Sequence, residues 1–238
     1  GLYSLLETIK RGKDRIDIKR LQPDELSGID VTGGYIMRYD KDMTGTEIMY
    51  PKEDDIRQEQ IDYIHNYLVA MRDSKFSNNF RDPVNGYRKY ICDTSLVDYM
   101  IMTELTKNCD GYLYSTYFYK DRADIDDRIH YGPLWDNDLV FGNTVFQDGA
   151  FSDGWHFEYD LGRRDYMNIT RLLQDTALVH LFQNRYWEAR GSFLHTDSIM
   201  NYIDSAVSYL HDALERNYYT WPVIDKNIFH FTYVSQSY

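Results

Sequence analysis

The sequence predicts an α+β fold, and three observations carry that prediction. Short stretches rich in aromatic and β-branched residues, punctuated by glycine, occupy the first 50 residues. Segments with apolar residues at three- and four-residue spacing follow them. Two further strand-like stretches, Tyr112 to Tyr119 and Arg128 to Leu134, are inserted among the helices as a hairpin around the polar loop Lys120 to Asp127. Strands first and helices later, with one hairpin between, is the pattern of an α+β domain.

Taken in order, Leu2 to Ile9 reads as a strand with one embedded acid, Glu7. Lys10 to Lys13 is a basic turn, and Arg15 to Ile18 a short strand. Gly28 to Gly34 supplies turn chemistry before the strand Tyr35 to Tyr39, and Gly45 to Tyr50 completes a hairpin that Pro51 ends. From Asp54 to about Arg72, Ile61, Ile64, Leu68 and Met71 mark one helix face, with Glu53, Asp54 and Asp55 suited to its positive N-terminal end. Ser74 to Gly86 is loop. Asp93 or Thr94 caps a second helix through Leu96, Met100, Ile101 and Leu105, apolar on most faces and therefore buried. It stops near Asn108. After Gly142 a glycine- and aromatic-rich loop runs to Asp165, and Ile169 to Gln174 and Asp175 to Arg190 are helical. Asp197 caps a last helix striped by Ile199, Ile203, Ala206, Leu210 and Leu214, which Trp221-Pro222 terminates.

A chain of 238 residues has room for one large domain, or two lobes sharing a cleft. Its 38 Asp and Glu against 26 Lys and Arg give a formal charge of −12, which repels nucleic-acid phosphates and excludes that class of partner. The 23 tyrosines and the acidic balance fit a surface or secreted protein, as they fit a tyrosine-heavy core. Cys92 and Cys109 flank a helix of about 14 residues, roughly 20 Å long, too far apart for a disulfide, so both are expected free. No apolar run reaches the ~20 residues of a membrane span.

The chemistry concentrates in Gly132 to Asn143, Gly-Pro-Leu-Trp-Asp-Asn-Asp-Leu-Val-Phe-Gly-Asn. In an extended segment Asp136 and Asp138 project to one side, two hard oxygen donors suited to Mg²⁺ or Mn²⁺ rather than Zn²⁺. If Tyr119 pairs with Arg128, the register sets Tyr112 opposite Trp135 and Asp110 opposite Asn137, and Asp110, Asp136 and Asp138 converge. The order helix, Asn108-x-Asp110, strand, loop, strand, Asp136-x-Asp138 parallels the catalytic and magnesium-binding aspartates of protein kinases. An EF-hand is excluded, because Val140 and Phe141 stand where it needs an acid and a glycine. Acids at i and i+2 lie side by side, which suits metal ligation better than a glycosidase pair. The seven histidines make no zinc spacing, and there is no P-loop, Gly-x-Ser-x-Gly or Gly-x-Gly-x-x-Gly. Trp135 is either core or a platform for an adenine. Lys10 and Lys13 are either a charged turn or phosphate contacts.

Three segments resemble the CotH (spore coat protein H) kinase-like family. Gly1-Leu-Tyr-Ser-Leu-Leu-Glu resembles its Gly-x-Tyr-x-Leu-x-Glu segment, Asp98 to Asp110 its helix and catalytic region, and Gly132 to Asn143 its Gly-Pro-x-Trp-Asp-x-Asp-x-x-x-Gly signature. The resemblance implies an atypical protein-kinase-like fold that uses ATP with Mg²⁺ (or Mn²⁺) to phosphorylate Ser or Thr of a protein substrate. It implies Asp110, with Asn108, as catalytic, Asp136 and Asp138 as metal ligands, Trp135 beside the adenine, and Glu7 and Lys10 near the nucleotide. Residues 1–50 would be partial nucleotide-lobe strands and 51–238 the helical lobe carrying the catalytic hairpin, a single kinase-like domain truncated at both ends. An extracytoplasmic bacterial protein is the expected setting. The Gly-rich loop and the lysine of standard kinases are missing, which leaves open a non-catalytic surface module on the same scaffold, or a carbohydrate-active surface protein.

Overall fold

A computed structural model describes residues 5–40, 45–144, 146, 149–159, 167–224 and 226. Four strands form one antiparallel sheet: β1 (Tyr35–Tyr39), β2 (Thr46–Tyr50), β3 (Thr116–Lys120) and β4 (Ile129–Tyr131), in the order β2-β1-β3-β4. Alternation along β1 sends Tyr35, Met37 and Tyr39 into the main core and Ile36 to the opposite face. There Ile36 meets Ile16, Ile18 and Tyr117 in a second, smaller cluster. The β3–β4 hairpin was expected within the helical part. Instead it pairs along the whole of β1, so one sheet crosses the expected boundary at residue 50.

The hairpin register also differs from the expected one. Phe118 lies opposite Tyr131, Tyr119 opposite His130 and Lys120 opposite Ile129, two residues away from pairing Tyr119 with Arg128. An even shift leaves every side chain on its anticipated face. β3 starts at Thr116 because Tyr112 and Ser115 have φ of 69° and 49°, which no strand accommodates. The loop between β3 and β4 contains a short helix, α3 (Ala123–Asp126). Among the described residues, 5–9 form no strand, and residues 15–18 contribute only an isolated bridge from Ile16 to Arg11. That segment is held from elsewhere: Ile16 and Ile18 bury in the smaller cluster, and the Lys19 N–H donates to Asp121 Oδ1 at 2.7 Å.

The long helices are α1 (Gln58–Phe76), α2 (Asp93–Thr106), α5 (Thr176–Arg190) and α6 (Thr196–Thr220), with a single turn, α4 (Ile169–Leu172), before α5. α1 begins four residues later than expected, where Gln60 Oε1 accepts from the Arg57 N–H at 3.0 Å, and Glu53, Asp54 and Asp55 precede it. Its buried face is Gln60, Ile64, Tyr67, Met71 and Lys75. The two polar members are satisfied by distant carbonyls: Gln60 Nε2 donates to Gln22 O (2.7 Å) and Lys75 Nζ to Met167 O (3.1 Å). α2 is buried as expected and packs against α5 and β4. Its N-cap is Cys92 rather than Asp93 or Thr94, and α6 is capped by His195 Nδ1, which accepts from the Asp197 N–H, rather than by Asp197. The apolar stripe of α6 is present, yet no described residue of that helix is buried. No helix among the described residues is long and apolar enough to cross a membrane. Cys92 and Cys109 are both free thiols.

Candidate functional site

α2 ends in a left-handed residue, Lys107 (φ 52°), and this turn places Asn108 beneath the surface and Asp110 half-buried beside it. Lys107 is itself buried, its ammonium donating to the carbonyls of Asp153 (2.6 Å) and Gly154 (2.9 Å). Asn108 is buried and works in two directions. Its Oδ1 accepts from the Asp110 N–H at 3.1 Å, which fixes the Asp110 turn. Its Nδ2 donates to Asn137 Oδ1 at 2.6 Å, which ties that turn to the segment between Asp136 and Asp138. The same two segments join a second time, where the Phe141 N–H donates to Thr106 O at 2.8 Å.

The expected pairing of Asp110 with Asn137 across a regular ladder is therefore replaced. Pairing stops at Tyr131, and the contact runs through the Asn108 side chain instead. Nor are Asp136 and Asp138 on an extended strand. Asp136 has φ of 58°, and residues 137–139 form a turn, closed by Asn143 Nδ2 donating to Asp138 O at 2.9 Å. Both carboxylates are exposed and Asp110 is half-buried. Cys109, the residue before Asp110, is buried. Burial is the main cause that pushes its thiol up, and the charges of Asp110 and Asp138 both add to that rise. The three carboxylates do not close into a cage. Among the described residues, the one group of three potential ligand side chains within 4.8 Å of each other is His211, Asp212 and Glu215, exposed on α6.

The residues expected around a nucleotide lie along one cleft. Glu7, Lys10 and Trp135 line a hollow of about 390 Å³ between residues 6–16 and Pro133 to Trp135, adjacent in sequence to Asp136. Glu7 is exposed and pairs with Arg15 at 3.2 Å; Lys10 is also exposed. Trp135 is half-buried, edge-on to Tyr117 with ring centres 6.2 Å apart, and packs on the smaller cluster. It is thus both core and cleft wall.

Sequence reasoning missed the residues that brace the Asp110 turn. Glu104, on the buried helix α2, accepts from Tyr112 Oη (2.7 Å) and from the N–H groups of His156 (2.6 Å) and Phe157 (3.2 Å). Burial pushes its carboxyl above the usual range despite those bonds. His156 is fully buried, stacks on Tyr112, and places Nε2 3.3 Å from Gly111 O. Burial is the main cause that holds its imidazole down at about 4. Gly111 is compelled by closeness: a Cβ there would meet Thr103 Cγ2 at 2.3 Å. An acid on an otherwise apolar helix was the available signal for Glu104. His156 carries none, because it follows no period and no motif.

The fold and site together define an α+β domain that carries Asp110 and the Asp136–Asp138 pair on two joined loops, with a cleft lined by an exposed lysine and an indole next to them in sequence. The chain belongs to the CotH kinase protein family, whose pattern matches residues 1–236. No curated protein and no solved structure matches it.

Proposed function

We propose that this chain transfers the terminal phosphoryl group of ATP to a Ser or Thr hydroxyl of a protein substrate, with Mg²⁺ or Mn²⁺. The observation that carries the reading is the 2.6 Å bond from Asn108 to Asn137, which holds the Asp110 turn against the turn containing Asp136 and Asp138. Family membership supports the kinase-like class. The donor set fits the metal. Mg²⁺ commonly takes one or two carboxylates and completes its shell with water and phosphate oxygens, so a closed three-carboxylate cage is not required.

In this reading Asp136 and Asp138 would hold the cation, whose chemistry would be to neutralise charge on the phosphates. Asp110 would orient the acceptor hydroxyl and receive its proton as the new P–O bond forms and the bond from the γ-phosphorus to the bridging oxygen breaks, releasing ADP. Asn108 positions Asp110 through the 3.1 Å bond to its N–H. Trp135 flanks the adenine, Lys10 offers a cation to the phosphates, and Glu7 lies at the cleft mouth. The formal charge of −12 is compatible with a protein substrate met outside the cytoplasm.

Calorimetric titration of ATP with Mg²⁺ into the full-length protein tests this, with Asp136→Asn as the comparison. The expected result is metal-dependent binding that weakens at least tenfold in the variant. Stability should stay within about 0.5 kcal/mol, because Asp136 is exposed. Equal affinity in both proteins refutes the role of Asp136. Absence of binding at about 1 mM ATP, the upper end of ordinary Michaelis constants, points to a non-catalytic surface module.

A further inference from the structure

At the opposite end of α2 from Asp110, a cysteine, a histidine and an aspartate from three neighbouring elements meet. Cys92 is the N-cap residue of α2, half-buried, with its N–H donating to Ile129 O at 2.9 Å and its carbonyl accepting from Ser95 Oγ at 2.9 Å. That backbone bond joins Cys92 to β4 immediately before His130, and the His130 imidazole interacts with the Cys92 thiol. On its other side, His130 Nε2 lies 3.0 Å from Asp126 Oδ2 at the end of α3. Asp126 accepts from Nε and Nη2 of Arg128, each at 2.8 Å, and the imidazole stacks on Tyr119 with ring centres 5.2 Å apart.

We propose that Cys92 is a reactive thiolate, activated by His130 and Asp126, that takes up low-molecular-weight disulfides by thiol–disulfide exchange. This is independent of nucleotide binding. The thiolate attacks one sulfur of the disulfide RSSR. The Cys92–sulfur bond forms as the S–S bond breaks, and RS⁻ leaves, so the Cys92 sulfur is oxidised and the departing sulfur reduced with no further reactant.

Geometry supplies the activation. A thiolate at a helix N-terminus faces backbone N–H groups that have no partner within the helix. His130 is set to be the cation of an ion pair, because its Nε2 lies against Asp126. Arg128 and Arg185 also bring positive charge to bear on Cys92, while Asp93 and Asp98 are partly neutralised by Arg88 and Arg185. The hydrogen bond from His130 is the largest cause bringing the thiol down to about 7, and the thiolate in turn raises the imidazole. Cys109 serves as an internal reference, since it is buried and its thiol is pushed up.

The test is the rate of iodoacetamide alkylation against pH, read at each cysteine by peptide mass spectrometry, followed by incubation with oxidised glutathione. The expected profile for Cys92 has its inflection near 7, and Cys92 alone gains a glutathionyl group. In His130→Gln the inflection moves towards the ordinary thiol value of about 8.5. At about pH 6 that shift lowers the thiolate fraction roughly 30-fold. Greater intrinsic nucleophilicity recovers about fivefold, so the alkylation rate falls about sixfold. Asp126→Asn should shift the inflection in the same direction by less. A wild-type inflection at or above about 8.5, or no mixed disulfide at Cys92, overturns the proposal without reference to either variant.

Discussion

Acidification should unlock the Asp110 turn through His156. The buried ring is neutral, donating from Nε2 to Gly111 O, and its Nδ1 has no hydrogen-bond partner among the described residues. Protonation would place a second N–H and a charge in that enclosure, near the Lys107 ammonium. The unfolded chain takes up the proton near 6.5, whereas the folded protein resists until about 4. Between those values the unfolded state binds more protons, so the stabilisation is fully present above about 6.5 and is lost as pH falls through about 4. Going from about pH 7.5 to about pH 4.5, the loss works out at about 2.5 kcal/mol. Glu104 contributes with the opposite sign: its raised carboxyl stabilises below the ordinary carboxylate range, and that part fades as pH rises. The wild-type curve alone therefore mixes the two. Urea unfolding of wild type and His156→Gln at both pH values separates them, because Glu104 remains in each. The reasoning predicts a wild-type loss larger by about 2.5 kcal/mol than that of the variant. A difference between the two proteins that does not change with pH, within about 0.5 kcal/mol, would refute it.

Two further substitutions probe how the loops are held. Asn108→Ala removes the bond to Asn137 and should cost about 1 kcal/mol in urea unfolding. Combining it with Asn137→Ala should cost less than the sum of the two single changes, and strict additivity would show that the bond contributes nothing. Gly111→Ala forces a Cβ against Thr103 Cγ2 and should cost about 1–3 kcal/mol while weakening Mg-dependent ATP binding, measured by calorimetry. Unchanged stability would mean that the Asp110 turn relaxes freely away from α2.

Much of the fold was legible because it is written in local patterns. β1 and β2 follow alternation closed by Pro51, and α2 follows its apolar surface. What escaped is non-local. The sequence puts Lys120 at the head of a polar loop and Lys75 inside one, yet they lie in β3 and α1 and both are fully buried. Lys120 Nζ reaches Thr32 O at 2.8 Å and pairs with Asp127 at 2.8 Å beneath the rings of Tyr63 and Tyr67. No periodicity announces a carbonyl 88 residues away. The hairpin register slipped by two because Tyr112 and Ser115 are aromatic or small polar residues with nothing in their type to mark a positive φ. The same blindness made Asp136 look extended. The neighbourhood of the Asp110 and Asp136–Asp138 segments was anticipated, but by a ladder that does not exist; the amide pair Asn108–Asn137 makes it instead.

That substitution of an amide bond for a ladder has a physical consequence. A ladder would have fixed all three carboxylates to one rigid surface, at the full repulsion of three like charges in close array. Two turns joined at their bases by Asn108 and by the Phe141 N–H to Thr106 O leave the carboxylates apart, with Asp136 and Asp138 in solvent. Solvent screens those charges, so the folded protein does not have to carry an uncompensated buried cluster. The bracing lies one layer deeper, where Glu104, Lys107 and His156 hold the backbone from beneath. On the proposed reading, precision in the backbone with exposed acidic tips suits a site whose remaining metal ligands would arrive with the phosphates, and suits poorly one that must store a bare cation permanently.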